Sequence, residues 1–104
     1  MAWEVKYLES VTDWLDSLTD EQLESLARLM KLLKLCGNNL KMPHSKPVGD
    51  KIFELREKRF GLRVYYIYMK KEVILMIHAG DKDSQKKDIL VAKKLIKNLK
   101  SSIE

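Results

Sequence analysis

The sequence contains few of the residues that cross-link a chain, bind metals or anchor a protein in a membrane. Cys36 is its only cysteine, so no disulfide can form within the chain, and the two histidines leave no Cys/His cluster at zinc-ligand spacing. Long apolar runs are also missing, and Glu4 and Lys6 place charges at the N-terminus. The sequence therefore predicts no membrane span, signal peptide, structural metal or cofactor, and we expect a cytoplasmic protein.

The size of the chain limits its organisation. It has 104 residues, of which 45% are hydrophobic, enough for one core but too few residues for two domains. Repeats and low-complexity tracts are absent. We therefore predict a single domain over residues 1–104.

Positive charge is concentrated in the second half of the sequence. Residues 1–50 carry 6 Lys/Arg and 8 Asp/Glu, whereas residues 51–104 carry 14 and 7, so the two halves have net charges of −2 and +7. A bias of this kind attracts polyanions, although a solvated lysine-rich face is the commoner explanation of any one cluster. The charge pattern favours a nucleic acid as the partner.

The first half of the chain reads as a short strand followed by two helices. Alternating apolar residues at positions 3, 5 and 7 predict the strand, and helical spacing predicts a first helix over residues 9–17. Thr19 and Gln22 form a capping-box pattern that starts a second helix, and Gly37 ends it. Its predicted inward positions are Leu23, Leu26, Ala27, Leu29, Met30 and Leu33. Residues 38–50, with two prolines, predict an ordered but irregular connection.

The second half changes to a strand period. Three strands are predicted over residues 51–58, 62–69 and 72–79, and the short turns between them favour an antiparallel meander. A final helix over residues 84–101 has apolar residues at helical spacing. The predicted fold is therefore α+β, with an N-terminal strand and two helices, an antiparallel twisted sheet and a C-terminal helix.

Basic side chains of the predicted sheet form a candidate catalytic group. Arg56 and Arg63 can meet on one sheet face while Phe53 and Leu55 pack on the other. Lys82 follows the last strand, and we expect Arg63 and Lys82 on an open polar surface. When a ribose 2′-OH attacks the adjacent phosphate, such cations stabilise the charge that develops on the phosphoryl oxygens, so RNA cleavage needs no metal. Lys82 is either a phosphate clamp or a proton donor.

Each candidate also has a structural interpretation. A strand arginine such as Arg56 or Arg63 is more often solvated or salt-bridged than catalytic, and Glu54 is the expected salt-bridge partner. His44 and His78 are candidate RNA contacts, but a hydrogen-bonded structural role is commoner. Further candidates for RNA binding, which an ordinary hydrated surface also explains, are Lys58, Arg59, Lys86 and Lys87. Ser84 suits the N-cap of the final helix better than a nucleophile. Of Tyr65, Tyr66 and Tyr68, we expect at least two in the core.

Several segments resemble a known family of toxins. These segments are FELR at 53–56, FGLRVYY at 60–66 and GDKDSQKKDILVA at 80–92, accompanied by MPHSK at 42–46 and IHAGDK at 77–82. In this order they resemble the RelE/HigB-type toxins of bacterial toxin–antitoxin pairs, and within that superfamily the phage-derived HigB-like subgroup.

The resemblance implies a function and site residues. Members of the superfamily typically cleave messenger RNA on the ribosome without a metal, and a helix-turn-helix antitoxin often neutralises them. Arg63 matches the strand arginine that contacts the scissile phosphate, Arg56 matches a second basic strand position, and Lys82 matches the basic position after the last strand. Glu54, however, stands where RelE has a catalytic lysine, and Asp88 lies where RelE has a tyrosine, so the proton-transfer residues stay open.

Two other functions fit the same sequence. A ParE-like toxin would share the fold and inhibit DNA gyrase without catalysis. A small basic nucleic-acid-binding domain would need neither a catalyst nor an antitoxin. Arg63 together with Lys82 favours cleavage over both.

Overall fold

The computed structural model describes the backbone of residues 3–103 and the side chains of residues 3–99. The elements in chain order are β1 (Glu4–Tyr7), α1 (Glu9–Asp16), α2 (Asp20–Cys36), β2 (Ser45–Gly49), β3 (Ile52–Arg56), β4 (Leu62–Met69), β5 (Val73–Asp81) and α3 (Gln85–Ile103). The prediction of an α+β fold with a C-terminal helix is confirmed. Within the described residues, no helix is both long and apolar enough to cross a membrane.

Helix α2 begins and ends where the sequence predicts. The Thr19 hydroxyl accepts a hydrogen bond from the Gln22 N–H at 3.2 Å, and the Gln22 side-chain oxygen accepts from the Thr19 N–H at 2.9 Å. Gly37, at φ 52°, ends the helix. Of the predicted inward positions, Leu26 and Leu33 are buried and Leu29 and Met30 partly so. Leu23 and Ala27 are exposed, and that part of the prediction is wrong.

The sheet has five strands in the order β1-β5-β4-β3-β2. Strands β3, β4 and β5 form the antiparallel meander that the sequence predicts. Strand β2 adds to it antiparallel, whereas β1 pairs parallel with β5, so the sheet is mixed. Strand β2 lies inside the segment predicted to be irregular. The sequence did not predict this strand because it contains Pro47 and Gly49, which are rare within central strands. Both residues are tolerated at a sheet edge, where β2 lies.

The two faces of the sheet carry separate cores. On one face Leu55 and Tyr66 pack with Leu26 and Leu33 of α2. On the other face, α3 packs on the sheet through a group of buried residues that consists of Ile52, Tyr65, Ile77, Ala92 and Ile96. Tyr65 and Tyr66 are both fully buried, which confirms that two of the strand tyrosines fill the core. Because Arg56 and Arg63 share strand parity with Ile52 and Tyr65, they lie on the α3 face, beside the start of that helix.

Candidate active site

The pairing of β3, β4 and β5 brings the predicted cations together. Arg56 lies directly opposite Arg63, and Arg63 lies opposite Gly80 on the next strand. Side chains of directly opposite residues project from the same face of a sheet. The expectation that the two arginines converge on one face, with Leu55 on the other, is therefore confirmed.

A cleft of about 350 Å³ opens over this end of the sheet. Its lining residues are Met42, Pro43, Arg56, Lys58, Gly61, Arg63 and Lys82. The three predicted catalytic residues thus lie in one cleft, together with one of the predicted RNA-binding lysines. Among residues 3–99, no carboxylate lines it, so the walls offer four cations and apolar surface from Met42 and Pro43. Such a cleft suits a phosphate with a base or sugar beside it.

Lys82 is held over the cleft by the turn between β3 and β4. Its backbone N–H donates a hydrogen bond to the Gly61 carbonyl at 2.8 Å. Gly61 has φ 71°, and a β-carbon there would lie 3.1 Å from Cδ of the Lys82 side chain. The glycine therefore provides both the left-handed turn and the space for the lysine stem.

Arg63 forms the floor of the cleft rather than an open surface. The residue is only 8% exposed, whereas Lys82 is exposed, so the expectation of an open position is wrong for Arg63 alone. Arg63 lies beside Glu54, which is completely buried. One of its oxygens, Oε1, lies 3.4 Å from Arg56 Nε and 3.7 Å from Arg63 Nε. The salt-bridge interpretation of both arginines is confirmed, and the same arginines line the cleft.

The second oxygen of Glu54 is held by neutral donors. The Tyr65 hydroxyl donates to Oε2 at 3.2 Å, and the Gln85 side-chain N–H donates to it at 2.8 Å from the first residue of α3. Burial, with the negative charge of Glu54 beside it, raises the pKa of Tyr65 far above its ordinary value. The hydroxyl therefore stays protonated and remains a donor.

Glu57 is a buried carboxylate that the sequence analysis missed. The Ser25 hydroxyl of α2 donates to it at 2.6 Å, and the backbone N–H groups of Arg59, Phe60 and Leu62 donate at 3.0, 2.8 and 3.4 Å. Burial alone would raise the pKa of Glu57, but these hydrogen bonds outweigh it and hold the pKa below its ordinary value. Glu57 thus shapes the turn after β3. The signal in the sequence that could have identified Glu57 was an acidic residue just before a predicted turn.

Two further RNA-binding candidates lie next to the cleft. His44 and Arg59 line a neighbouring cavity of about 330 Å³, which shares Arg56 and Lys58 with the cleft. The His44 carbonyl accepts a hydrogen bond from the Arg56 N–H at 2.8 Å. Lys86 is exposed on the first turns of α3, as is Lys87, and neither lines the cleft.

His78 does not line the cleft and belongs to a hydrogen-bonded chain. Its Nε2 is 2.9 Å from Asp88 Oδ1, and the Ser84 hydroxyl donates to Oδ2 of the same carboxylate. The Asp88 carboxylate lies between the Ser84 hydroxyl and the His78 imidazole, so His78 cannot take the serine proton.

Ser84 does not act as the predicted N-cap either. Asp81 accepts from the N–H groups of Asp83 and Ser84, and so caps the short 3₁₀ turn before α3.

Comparison with known protein families identifies the family of this chain. The family described as "Phage derived protein Gp49-like (DUF891)" matches residues 13–98. The chain belongs to the Gp49-like family. The resemblance to RelE/HigB-type toxins, and to a phage-derived subgroup of them, is thereby supported at the level of sequence.

Solved structures show that this Gp49-like protein has the RelE fold. A double arginine-to-alanine mutant of Escherichia coli toxin RelE in the free state is 14% identical over 94% of this chain and 98% of that chain, with a TM-score of 0.70. RelE in the intact E. coli RelBE toxin–antitoxin complex is 16% identical over 77% and 96%, with a TM-score of 0.61. The archaeal RelE–RelB complex of Pyrococcus horikoshii gives 17% identity over 79% and 97%, with a TM-score of 0.60. No curated protein matches the chain.

Proposed function

We propose that this protein is the toxin of a toxin–antitoxin pair and that it cleaves messenger RNA on the ribosome. The observation that carries the proposal is the cleft in which Arg56, Arg63 and Lys82 lie together, with no carboxylate of residues 3–99 in its lining. Membership of the Gp49-like family and the RelE fold support the same function. Two of the similar solved structures are toxin–antitoxin complexes, which supports an antitoxin as the partner of this chain. The family resemblance suggests that this antitoxin carries a helix-turn-helix.

The chemistry follows from the charges in the cleft. The ribose 2′-hydroxyl gives up its proton to solvent, its oxygen attacks the adjacent phosphorus, and the bond from phosphorus to the 5′-oxygen of the next nucleotide breaks. The leaving oxygen takes up one proton, from Lys82 or from solvent, so no net proton is gained or lost. Arg56 and Arg63 stabilise the negative charge on the phosphoryl oxygens, since guanidinium stays protonated. Lys82 acts either as a third clamp or as the proton donor. The products are a 2′,3′-cyclic phosphate and a 5′-hydroxyl, and no step needs a metal.

The function is tested by incubating the purified protein with ribosomes programmed with a defined message. Cleavage should occur in the ribosomal A site, with 2′,3′-cyclic phosphate or 3′-phosphate ends, and should be mapped by primer extension and end-specific ligation. Cuts that leave 3′-hydroxyl and 5′-phosphate ends would contradict the mechanism. Intact message, together with inhibition of DNA supercoiling by purified gyrase, would favour a ParE-like toxin instead.

A further inference from the structure

The buried carboxylate beneath the cleft suggests how its two arginines are aimed. We propose that Glu54 is a positioning residue for cleavage, which attracts the Nε edges of Arg56 and Arg63 and so directs their terminal nitrogens to the scissile phosphate. For Arg63 this nitrogen is Nη2, because Nη1 donates to the Leu62 carbonyl at 3.4 Å. This inference rests on the proposed function. It gives a role to Glu54, which matches the position of a catalytic lysine in RelE but has a negative charge and so cannot itself bind a phosphate.

The burial of Glu54 excludes direct contact with RNA. Its side chain is 0% exposed, and it does not line the cleft. A general base must come within hydrogen-bonding reach of the proton that it removes, so Glu54 cannot take the 2′-hydroxyl proton. Any effect of Glu54 on cleavage must pass through the residues that it contacts.

The two carboxylate oxygens of Glu54 have different partners. Tyr65 and Gln85 donate to Oε2, and they fix the carboxylate from β4 and from the start of α3. That leaves Oε1 facing Nε of both arginines, at 3.4 and 3.7 Å. Both Oε1 and Arg63 Nε are buried and neither has a hydrogen-bond partner, so Oε1 contacts the arginines as an ion pair. One negative oxygen therefore attracts two guanidinium groups in a poorly solvated place, where charge interactions are strong.

A guanidinium group suits this double task. It can direct Nε toward a carboxylate while its terminal nitrogens bind phosphate, whereas a lysine has a single nitrogen for both. Arg56 is partly exposed, with 29% of its side chain accessible, and Arg63 lines the cleft floor. The geometry thus explains why arginine, rather than lysine, occupies both of these strand positions.

Glu54→Gln is the central test, because it keeps the shape of the side chain and removes the charge. Glu57→Gln is the matched control: Glu57 is also buried, but it accepts its hydrogen bonds from the Ser25 hydroxyl and from backbone N–H groups rather than from a guanidinium. At a temperature where both variants are folded by circular dichroism, Glu54→Gln should lower kcat for cleavage on programmed ribosomes roughly 10²-fold with little change in KM. Glu57→Gln should keep kcat within about twofold of wild type.

Arg63→Lys extends the test to a variant that keeps the positive charge. It should also lower kcat, by at least roughly tenfold, since an ammonium group lacks the planar fork that presents separate edges to the carboxylate and to the phosphate. A wild-type kcat in folded Glu54→Gln, or in Arg63→Lys, would overturn the proposal.

A measurement without RNA separates this inference from the proposed function. In ¹⁵N-edited NMR spectra, the Nε–H protons of Arg56 and Arg63 should exchange slowly with water in the wild type and faster in Glu54→Gln, but not in Glu57→Gln. Equal exchange in all three proteins would contradict the positioning role. If the wild type does not cleave message, the proposed function fails, while the NMR result still decides whether Glu54 holds the arginines.

Discussion

The cations of the cleft have the same sign but different surroundings. Lys82 is exposed and held by a backbone hydrogen bond to Gly61, so its charge contributes little to the fold. Arg63 is nearly buried and shares Glu54 with Arg56. Removal of each side chain should therefore have a different effect on stability, even where the effect on catalysis is the same.

Lys82→Ala and Arg63→Ala should each slow cleavage roughly 10²–10³-fold, because each removes a preorganised donor to the developing charge. Lys82→Ala should leave the free energy of unfolding nearly unchanged. Arg63→Ala should lower it by about 1–3 kcal/mol, since Glu54 loses one of its two cationic partners. Urea titrations and single-turnover cleavage assays measure the two effects. Cleavage at the wild-type rate by both variants would show that Arg63 and Lys82 have no catalytic role.

Glu57 should make stability depend on pH in the acid range. Its pKa in the folded protein lies below the ordinary value of 4.5, so its contribution is fully present above that pH and is lost as pH falls through the folded pKa. Glu57→Gln should lower the free energy of unfolding by about 1–3 kcal/mol near pH 7. The difference from wild type should shrink as the pH falls below 4.5 and through the folded pKa. A difference that stays constant with pH would show that the charge of Glu57 does not contribute.

At the scale of the elements, the junction between β5 and α3 depends on a glycine without unusual backbone geometry. A β-carbon at Gly80 would lie 2.0 Å from Asp88 Oδ2 and 2.8 Å from the Ser84 hydroxyl. The hydrogen-bonded chain from Ser84 through Asp88 to His78 thus packs directly on the strand backbone. This chain fixes where α3 starts, and so where Gln85 meets Glu54.

Gly80→Ala should therefore destabilise the protein by about 1–3 kcal/mol, as overpacking does in other well-packed sites. The control is the double variant with Asp88→Ala, which removes the carboxylate that the new methyl group would strike. Thermal unfolding of the two single variants and the double variant gives a double-mutant cycle. We expect the double variant to be more stable than the sum of the two single effects predicts. Strict additivity would mean that the steric conflict is relieved elsewhere.

At the scale of the whole molecule, the positive half of the sequence supplies the four cations of the cleft. Arg56, Lys58, Arg63 and Lys82 all come from this half, as do the exposed Lys86 and Lys87. The cleft supplies charge, but within residues 3–99 it has no lining carboxylate or histidine to act as a base. Under the proposed function, we expect the ribosome to orient the 2′-hydroxyl.

Cleavage should accordingly depend on the ribosome. Alignment of the 2′-oxygen with the phosphate and the leaving oxygen contributes up to about 7–11 kcal/mol in favourable cases, so free RNA of the same sequence should be cut far more slowly. The comparison uses one message, with and without ribosomes, at equal ionic strength. Equal rates on both substrates would refute the dependence.

The sequence alone determined the class of fold, most helix and strand positions and the identity of the cleft's cations. These features follow from local periodicity, from the capping residues Thr19 and Gln22, and from strand parity, which placed Arg56 and Arg63 on one face. Those signals act over a few residues, so they are visible in a single chain.

Only the tertiary structure decided which charges are buried and which strands pair at the edges. The parallel pairing of β1 with β5, the edge strand β2 and the burial of Glu54 all depend on residues far apart in sequence. Glu54 meets Tyr65 and Gln85 across 11 and 31 residues, and Glu57 meets Ser25 across 32. A buried carboxylate is stable only where several such donors surround it, and their arrangement does not exist until the chain has folded.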